Sequence, residues 1–171
     1  DTLFNMQYIR SLLFYFFYIS ALVPHALICI IIGGLLPIKA RYNYFLLWNA
    51  FILWWLKLSC NIKYQISGLQ NIPSEPFVLL SNHQSPWETL FYYWTFRPIC
   101  ATLKKELLLI PFFGWALKLL HPIAIDRSKK GRALQQVLDQ GKEKMDNGIS
   151  VLIFPEGTRV APGIEKKYSA G

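Results

Sequence analysis

Val151-Leu152-Ile153-Phe154-Pro155-Glu156-Gly157-Thr158-Arg159 is the stretch on which the fold turns. Four consecutive apolar residues bounded by polar segments read as a buried strand, and Pro155-Glu156-Gly157 reads as the turn that ends it. That turn delivers a carboxylate, a glycine, a hydroxyl and a guanidinium to one place. An arginine so placed can hold a phosphate through a forked pair of hydrogen bonds. Taken by itself, the segment reads first as an ordinary turn with a solvated arginine.

Working outward, Gly131 to Met145 places Leu134, Val137, Leu138 and Met145 roughly on one helical face, with Gly148 following as a stop signal. Strands are expected where Ile62 to Ile66 alternates, in the buried run Phe77 to Leu80, and at Ile99 to Leu103 and Ile123 to Ile125. Short apolar runs separated by helical and polar segments describe an α/β domain. We expect one such domain, with a mixed sheet, over 61–171.

Upstream the character changes. From Leu12 to Leu36 nearly every residue is apolar or aromatic, without charge if His25 is neutral, and the run is long enough to span hydrocarbon as a helix. It exceeds the apolar stretch of a secretory signal and lacks a small-x-small cleavage site. Pro24 and Gly33-Gly34 are expected to kink or end it. A second apolar stretch, Tyr44 to Leu58, carries Trp48, Trp54 and Trp55, side chains that favour the headgroup region. Residues 1–60 are therefore expected to form a membrane-embedded helical hairpin, the alternative being two ordinary core helices.

Composition agrees with an anchor joined to a catalytic unit. The 171 residues are 53% hydrophobic, with a formal charge of +8, and mean hydropathy is +0.28. One domain with appendages fits that length. The basic excess suits acidic headgroups or a phosphorylated substrate; no nucleic-acid motif accompanies it, so nucleic acid is not expected as a partner. Cys29, Cys60 and Cys100 lie far apart without C-x-x-C spacing, which indicates neither a zinc site nor a disulfide framework. The chain starts at Asp1 and stops at Gly171 in what reads as mid-fold, so a longer protein is expected.

A second constellation is Asn82-His83-Gln84-Ser85-Pro86-Trp87-Glu88, at a strand-to-helix junction. A carboxylate five residues after a histidine, across a tight turn, can fix the imidazole tautomer and support its protonated form, leaving the other ring nitrogen to take a proton. The same residues also read as a capping box, with Ser85 at the N-cap, Pro86 at N1 and Glu88 at N3. His25 and His121 have no acidic partner at motif spacing and read as structural. No G-x-S-x-G is present, so a serine nucleophile is not indicated.

The order Asn-His-x-Ser-x-x-acid, Lys-Lys-Glu-Leu, Ile-Asp-Arg, Phe-Pro-Glu-Gly-Thr-Arg, from Ser81 to Arg159, resembles the glycerolipid acyltransferase family. Ile110-Pro111-Phe112-Phe113-Gly114-Trp115 is similar to that family too. The resemblance implies His83 as general base, with Glu88 standing where the family usually has Asp. It implies binding of the acceptor phosphate by the basic residues Lys104 or Lys105, Arg127 and Arg159, in a pocket shaped by Gly157 and Thr158, with Glu156 also among the substrate-site residues. The reaction implied is transfer of an acyl group from acyl-CoA or acyl-ACP to the sn-2 hydroxyl of lysophosphatidic acid, giving phosphatidic acid. The alternatives are another lysophospholipid or glycerol 3-phosphate as acceptor, or a non-catalytic lipid-binding membrane protein. The partners implied are the lysophospholipid, the acyl-CoA or acyl carrier protein donor, and the membrane, with no metal or tightly held cofactor. The active site is expected on the cytoplasmic side, in a bacterial inner membrane.

Overall fold

A computed structural model describes residues 2–125 and 130–168. The long apolar run forms helix α1 (Thr2–Gly33), which continues through Pro24 and ends at the first glycine of the pair. Its Asn5–Gly33 segment contains an 18-residue window of mean hydropathy 2.1 and is, by length and composition, long and apolar enough to cross a membrane. Most of its large apolar side chains, among them Leu12, Phe16 and Ile31, are exposed.

The second apolar stretch, Tyr44 to Leu58, starts in the last two residues of α2 (Ile38–Phe45) and otherwise forms α3 (Leu47–Cys60), with Leu46 between the two helices. Helix α3 stops at Asn61, whose φ of 55° is a left-handed conformation that asparagine tolerates. Helices α1 and α3 pack together through aromatic pairs, Phe17 on Trp55 at 4.7 Å and Tyr18 on Trp48 at 4.9 Å.

Beyond Asn61, strands β1 (Val78–Leu80), β2 (Ile99–Lys104), β3 (Ile123–Ile125) and β4 (Ser150–Ile153) alternate with helices α4 (Pro86–Thr95), α5 (Phe113–Lys118) and α6 (Lys130–Asp146). Strand order is β1-β4-β2-β3. Every pairing is parallel, with Val78 opposite Val151, Cys100 opposite Val151 and Thr102 opposite Ile123. Among the described residues the sheet is therefore parallel, not mixed as expected. The reason is local: each strand is followed by a helix before the next strand, and no hairpin turn intervenes to reverse direction.

Three further expectations change. Residues 62–66 form no strand; Ile62, Tyr64 and Ile66 are exposed, and the Tyr64 ring rests edge-on against Trp87 and Phe91. Alternation marks a face, and a strand also needs a partner ladder. Strand β1 is not a fully buried run, because it lies at the sheet edge with Val78 48% and Leu80 64% exposed. In α6, Leu134 and Leu138 face outward, 50% and 57% exposed, whereas Val137 and Met145 pack on the core. The inward line runs Val137, Gly141, Met145 at i, i+4 spacing, and its centre is a buried glycine that an apolar pattern passes over. The stop signal behaves as read: Gly148, at φ 76°, donates its N–H to the Met145 carbonyl.

The core combines both halves of the chain. Cys29 from α1, with Tyr42, Phe45 and Leu46, packs into the same cluster as Ile99, Cys100, Ile123, Val151 and Leu152 of the sheet. The Tyr42 hydroxyl donates to the Leu120 carbonyl at 3.0 Å, so this buried phenol is satisfied across the junction. His25, expected to be structural, stacks on Tyr44 and places Nε2 3.0 Å from the Phe45 carbonyl. His121 lies 3.4 Å from the Arg41 guanidinium.

Candidate active site

Strands β1 and β4 are parallel neighbours, so the loops leaving their C-terminal ends lie side by side. This is the edge of a parallel sheet at which ligands characteristically bind. The Ser81 N–H donates to the Ile153 carbonyl at 3.2 Å, carrying the pairing one residue beyond the strands. His83 follows in one loop and Glu156 to Arg159 in the other.

In the first loop Ser85 caps α4. Its hydroxyl accepts the Trp87 N–H at 3.2 Å, and the Glu88 carboxylate accepts the Ser85 N–H at 2.8 Å and the Ser85 hydroxyl at 3.1 Å. The capping box is complete. The same Glu88 Oε2 lies 3.4 Å from His83 Nδ1, within ion-pair reach of a protonated ring though not aligned as a hydrogen bond. Capping and pairing are thus compatible: the cap holds the carboxylate still, and the remaining face of that carboxylate meets the imidazole. With Nδ1 turned toward Glu88 and the ring stacked on Phe154 at 4.0 Å, Nε2 is the nitrogen left for a substrate proton.

In the second loop, Gly157 donates its N–H to the Phe154 carbonyl at 3.0 Å, closing a turn through Pro155 and Glu156. Glu156 is 5% exposed, and its Oε2 accepts the main-chain N–H of His83 at 2.7 Å. The Val160 N–H donates to the His83 carbonyl at 2.8 Å.

Between the sheet and the N-terminal helices lies a cavity of about 460 Å³. His83, Lys104, Gly157, Thr158 and Arg159 line it together with apolar residues such as Leu22, Ala26, Leu46 and Leu117. Of the residues the sequence singled out, the cavity unites these five. Glu88 stands behind His83, and Glu156 lies off the wall. Lys105 opens a 3-10 turn whose Leu107 lines the cavity, but Lys105 itself does not, and Arg127 lies outside the described residues.

Sequence reasoning did not anticipate the Phe154 ring under His83, the hold of Glu156 on the His83 backbone, or the cavity wall supplied by α1 and α3. For the first two the sequence offered only that both motifs follow apolar runs read as strands, which invites a neighbouring arrangement of the loops but encodes neither contact. The third had no signal, because a lining leucine and a lipid-facing leucine look alike in sequence.

Two other titratable groups nearby, Tyr93 and Cys100, are poor proton acceptors. Burial pushes the Tyr93 phenol up, and its oxygen accepts the Ala101 N–H at 2.9 Å. The Cys100 thiol is pushed up to about 11 by burial. Both stay protonated at neutral pH. The His25 imidazole also lines the cavity, but its Nε2 lies 3.0 Å from the Phe45 carbonyl, whereas His83 has the Glu88 carboxylate at Nδ1 and is the imidazole so equipped to take a proton.

Comparison with known proteins gives a consistent result. Residues 63–168 match the Acyltransferase family. The chain is 46% identical over 168 residues to a 1-acyl-sn-glycerol-3-phosphate acyltransferase of Pseudomonas aeruginosa, covering 98% of this chain and 65% of that protein. It is 34% identical over 106 residues to the enzyme of the same description from Saccharomyces cerevisiae, covering 61% of this chain and 35% of that one. The crystal structure of the 1-acyl-sn-glycerophosphate acyltransferase PlsC from Thermotoga maritima superposes with a TM-score of 0.73 at 24% identity, over 96% of this chain and 66% of that one. The chain therefore spans about 65% of the length of its Pseudomonas relative.

Proposed function

The chain belongs to the Acyltransferase family, and on that premise we propose that its protein transfers an acyl group from a thioester donor to the sn-2 hydroxyl of lysophosphatidic acid, giving phosphatidic acid. One observation carries the reading. A histidine with a carboxylate at its Nδ1 shares a cavity wall with a guanidinium and with an apolar interior. These are the three surfaces that a hydroxyl, a phosphate and an acyl chain require.

In this reading Nε2 of His83 takes the proton of the glycerol hydroxyl as its oxygen attacks the thioester carbonyl. The tetrahedral intermediate collapses, the C–S bond breaks, and the thiolate leaves with the proton returned from the imidazolium. Glu88 stabilises that imidazolium, as an orienting carboxylate does in related histidine chemistry. Arg159 holds the acceptor phosphate through its fork, with Lys104 adding a point charge and Gly157 and Thr158 shaping the loop. No acyl-enzyme is needed: the Ser85 hydroxyl is engaged in the cap. Lys105 and Arg127 remain candidates for the same phosphate from their place in the motifs.

The anchor is part of the proposal. Residues 1–60 embed α1, with α3 against it, in the cytoplasmic leaflet of a bacterial inner membrane, and 61–171 hold the catalytic residues at its surface. The apolar, exposed flank of α1 supports this. Acyl thioesters, as coenzyme A or acyl-carrier-protein derivatives, occur on that side.

Purified full-length protein offered labelled acyl-CoA or acyl-ACP tests the reading, with a panel of lysophosphatidic acid, other lysophospholipids and glycerol 3-phosphate. Phosphatidic acid is the expected main product. Acylation of no acceptor would overturn it, and preference for a different acceptor would reassign the substrate.

A further inference from the structure

The Glu156 carboxylate is the one charged group among the buried polar residues described. Burying a carboxylate is costly unless it is well partnered, so what it faces carries information. It faces the main chain of the histidine, not the cavity: Oε2 accepts the His83 N–H at 2.7 Å, while Gly157, Thr158 and Arg159, the next three residues, all line the cavity that Glu156 does not. From the same loop, the Val160 N–H donates to the His83 carbonyl at 2.8 Å.

We propose that Glu156 is a positioning residue that acts through His83, clamping its backbone so that the imidazole stands at a fixed place relative to Arg159. The inference rests on the general-base reading of His83 and assigns Glu156 a role other than contact with the acceptor. Holding the peptide groups on both sides of one Cα fixes the direction of its Cα–Cβ bond. The ring is then confined by Phe154 at 4.0 Å on one face and by Glu88 at Nδ1. A hydrogen bond to an ionised acceptor is about twice as strong as a neutral one, which suits a clamp. Because the two clamping groups, Glu156 and Val160, bracket Thr158 and Arg159, the contacts that hold the base also set its distance from the guanidinium. Misplacement of a reacting group by about 1 Å can cost on the order of 10²-fold in rate.

The test is a double-mutant cycle in the full-length protein, with kcat, separate KM values for donor and acceptor, and melting midpoints for H83A, E156A, E156Q and H83A/E156A. We expect E156A to lose about 10- to 10³-fold in kcat per folded molecule, with both KM values within about threefold of wild type. E156Q retains an oxygen able to accept the His83 N–H and should keep about a third or more of the wild-type kcat. In the H83A background, E156A should cost no more than about twofold further, since a clamp has no effect once the clamped group is gone. An E156A enzyme that melts and turns over like wild type would overturn the proposal. So would a loss confined to acceptor KM, or a full additional loss on top of H83A. If E156A fails to fold, E156Q decides: normal melting with kcat collapsed would overturn the clamp, and retained kcat would support it. An H83A enzyme as fast as wild type would remove the base reading itself, a different result from a silent Glu156.

Discussion

At the scale of single residues, Glu88 is held by two demands at once, and its substitutions separate them. Glu88→Gln keeps an oxygen for the Ser85 N–H, so stability should change by no more than about 1 kcal/mol. It removes the charge 3.4 Å from His83 Nδ1, so turnover should fall by about 10² or more. A melting midpoint beside a turnover number decides, and full activity would leave Glu88 a cap alone. Arg159 makes a different claim. Arg159→Ala should raise the acceptor KM well above any change in donor KM, and Arg159→Lys should rescue only in part because an ammonium does not reproduce the fork. Equal losses for donor and acceptor would contradict a phosphate role.

At the scale of elements, α5 and the 3-10 turn before it meet at Gly114. A Cβ added there would sit 2.5 Å from the Leu107 carbonyl oxygen and 2.6 Å from the Leu108 carbonyl carbon, both backbone atoms that cannot rotate away. Gly114→Ala is expected to destabilise by about 1–3 kcal/mol through overpacking, read as a lowered melting midpoint. Helix α1 offers the test of the anchor. Leu12 and Phe16 are 73% and 63% exposed and belong to its outward flank. Leu12→Asp with Phe16→Asp should leave the core intact yet lower the fraction retained on carbonate-washed membranes, because each aspartate costs about 2.5–3.5 kcal/mol near a bilayer centre. An unchanged fraction would mean that this flank does not enter lipid.

At the scale of the whole molecule, the N-terminal helices are structural partners of the sheet. Cys29, Tyr42, Phe45 and Leu46 share the cluster built on Ile99, Ile123 and Leu152, and Leu22, Trp48 and Asn49 line the same cavity as His83. Deleting residues 1–58 strips those side chains from both places. The expected outcome is a protein without a cooperative melt and without activity, measured by thermal denaturation in detergent. A stable, active fragment would show the remainder to be self-sufficient.

What the sequence by itself determined is what rests on local chemistry. The run of apolar residues sufficient for α1, the buried strand before Pro155, the cap at Ser85 and the stop at Gly148 each follow from a few adjacent side chains, and each is found in place. The motif order carried the family, because residue types at fixed spacing survive translation into chemistry. Tertiary structure alone decided the rest. Whether Ile62 to Ile66 found a strand partner, and whether Leu134 or Gly141 faced inward, depended on surfaces far away in the chain. The parallel sheet brought the loops of β1 and β4 together, so that Glu156 reaches the backbone of a histidine 73 residues earlier. No local pattern encodes that contact, since its partners become neighbours only when two strands distant in sequence pair side by side.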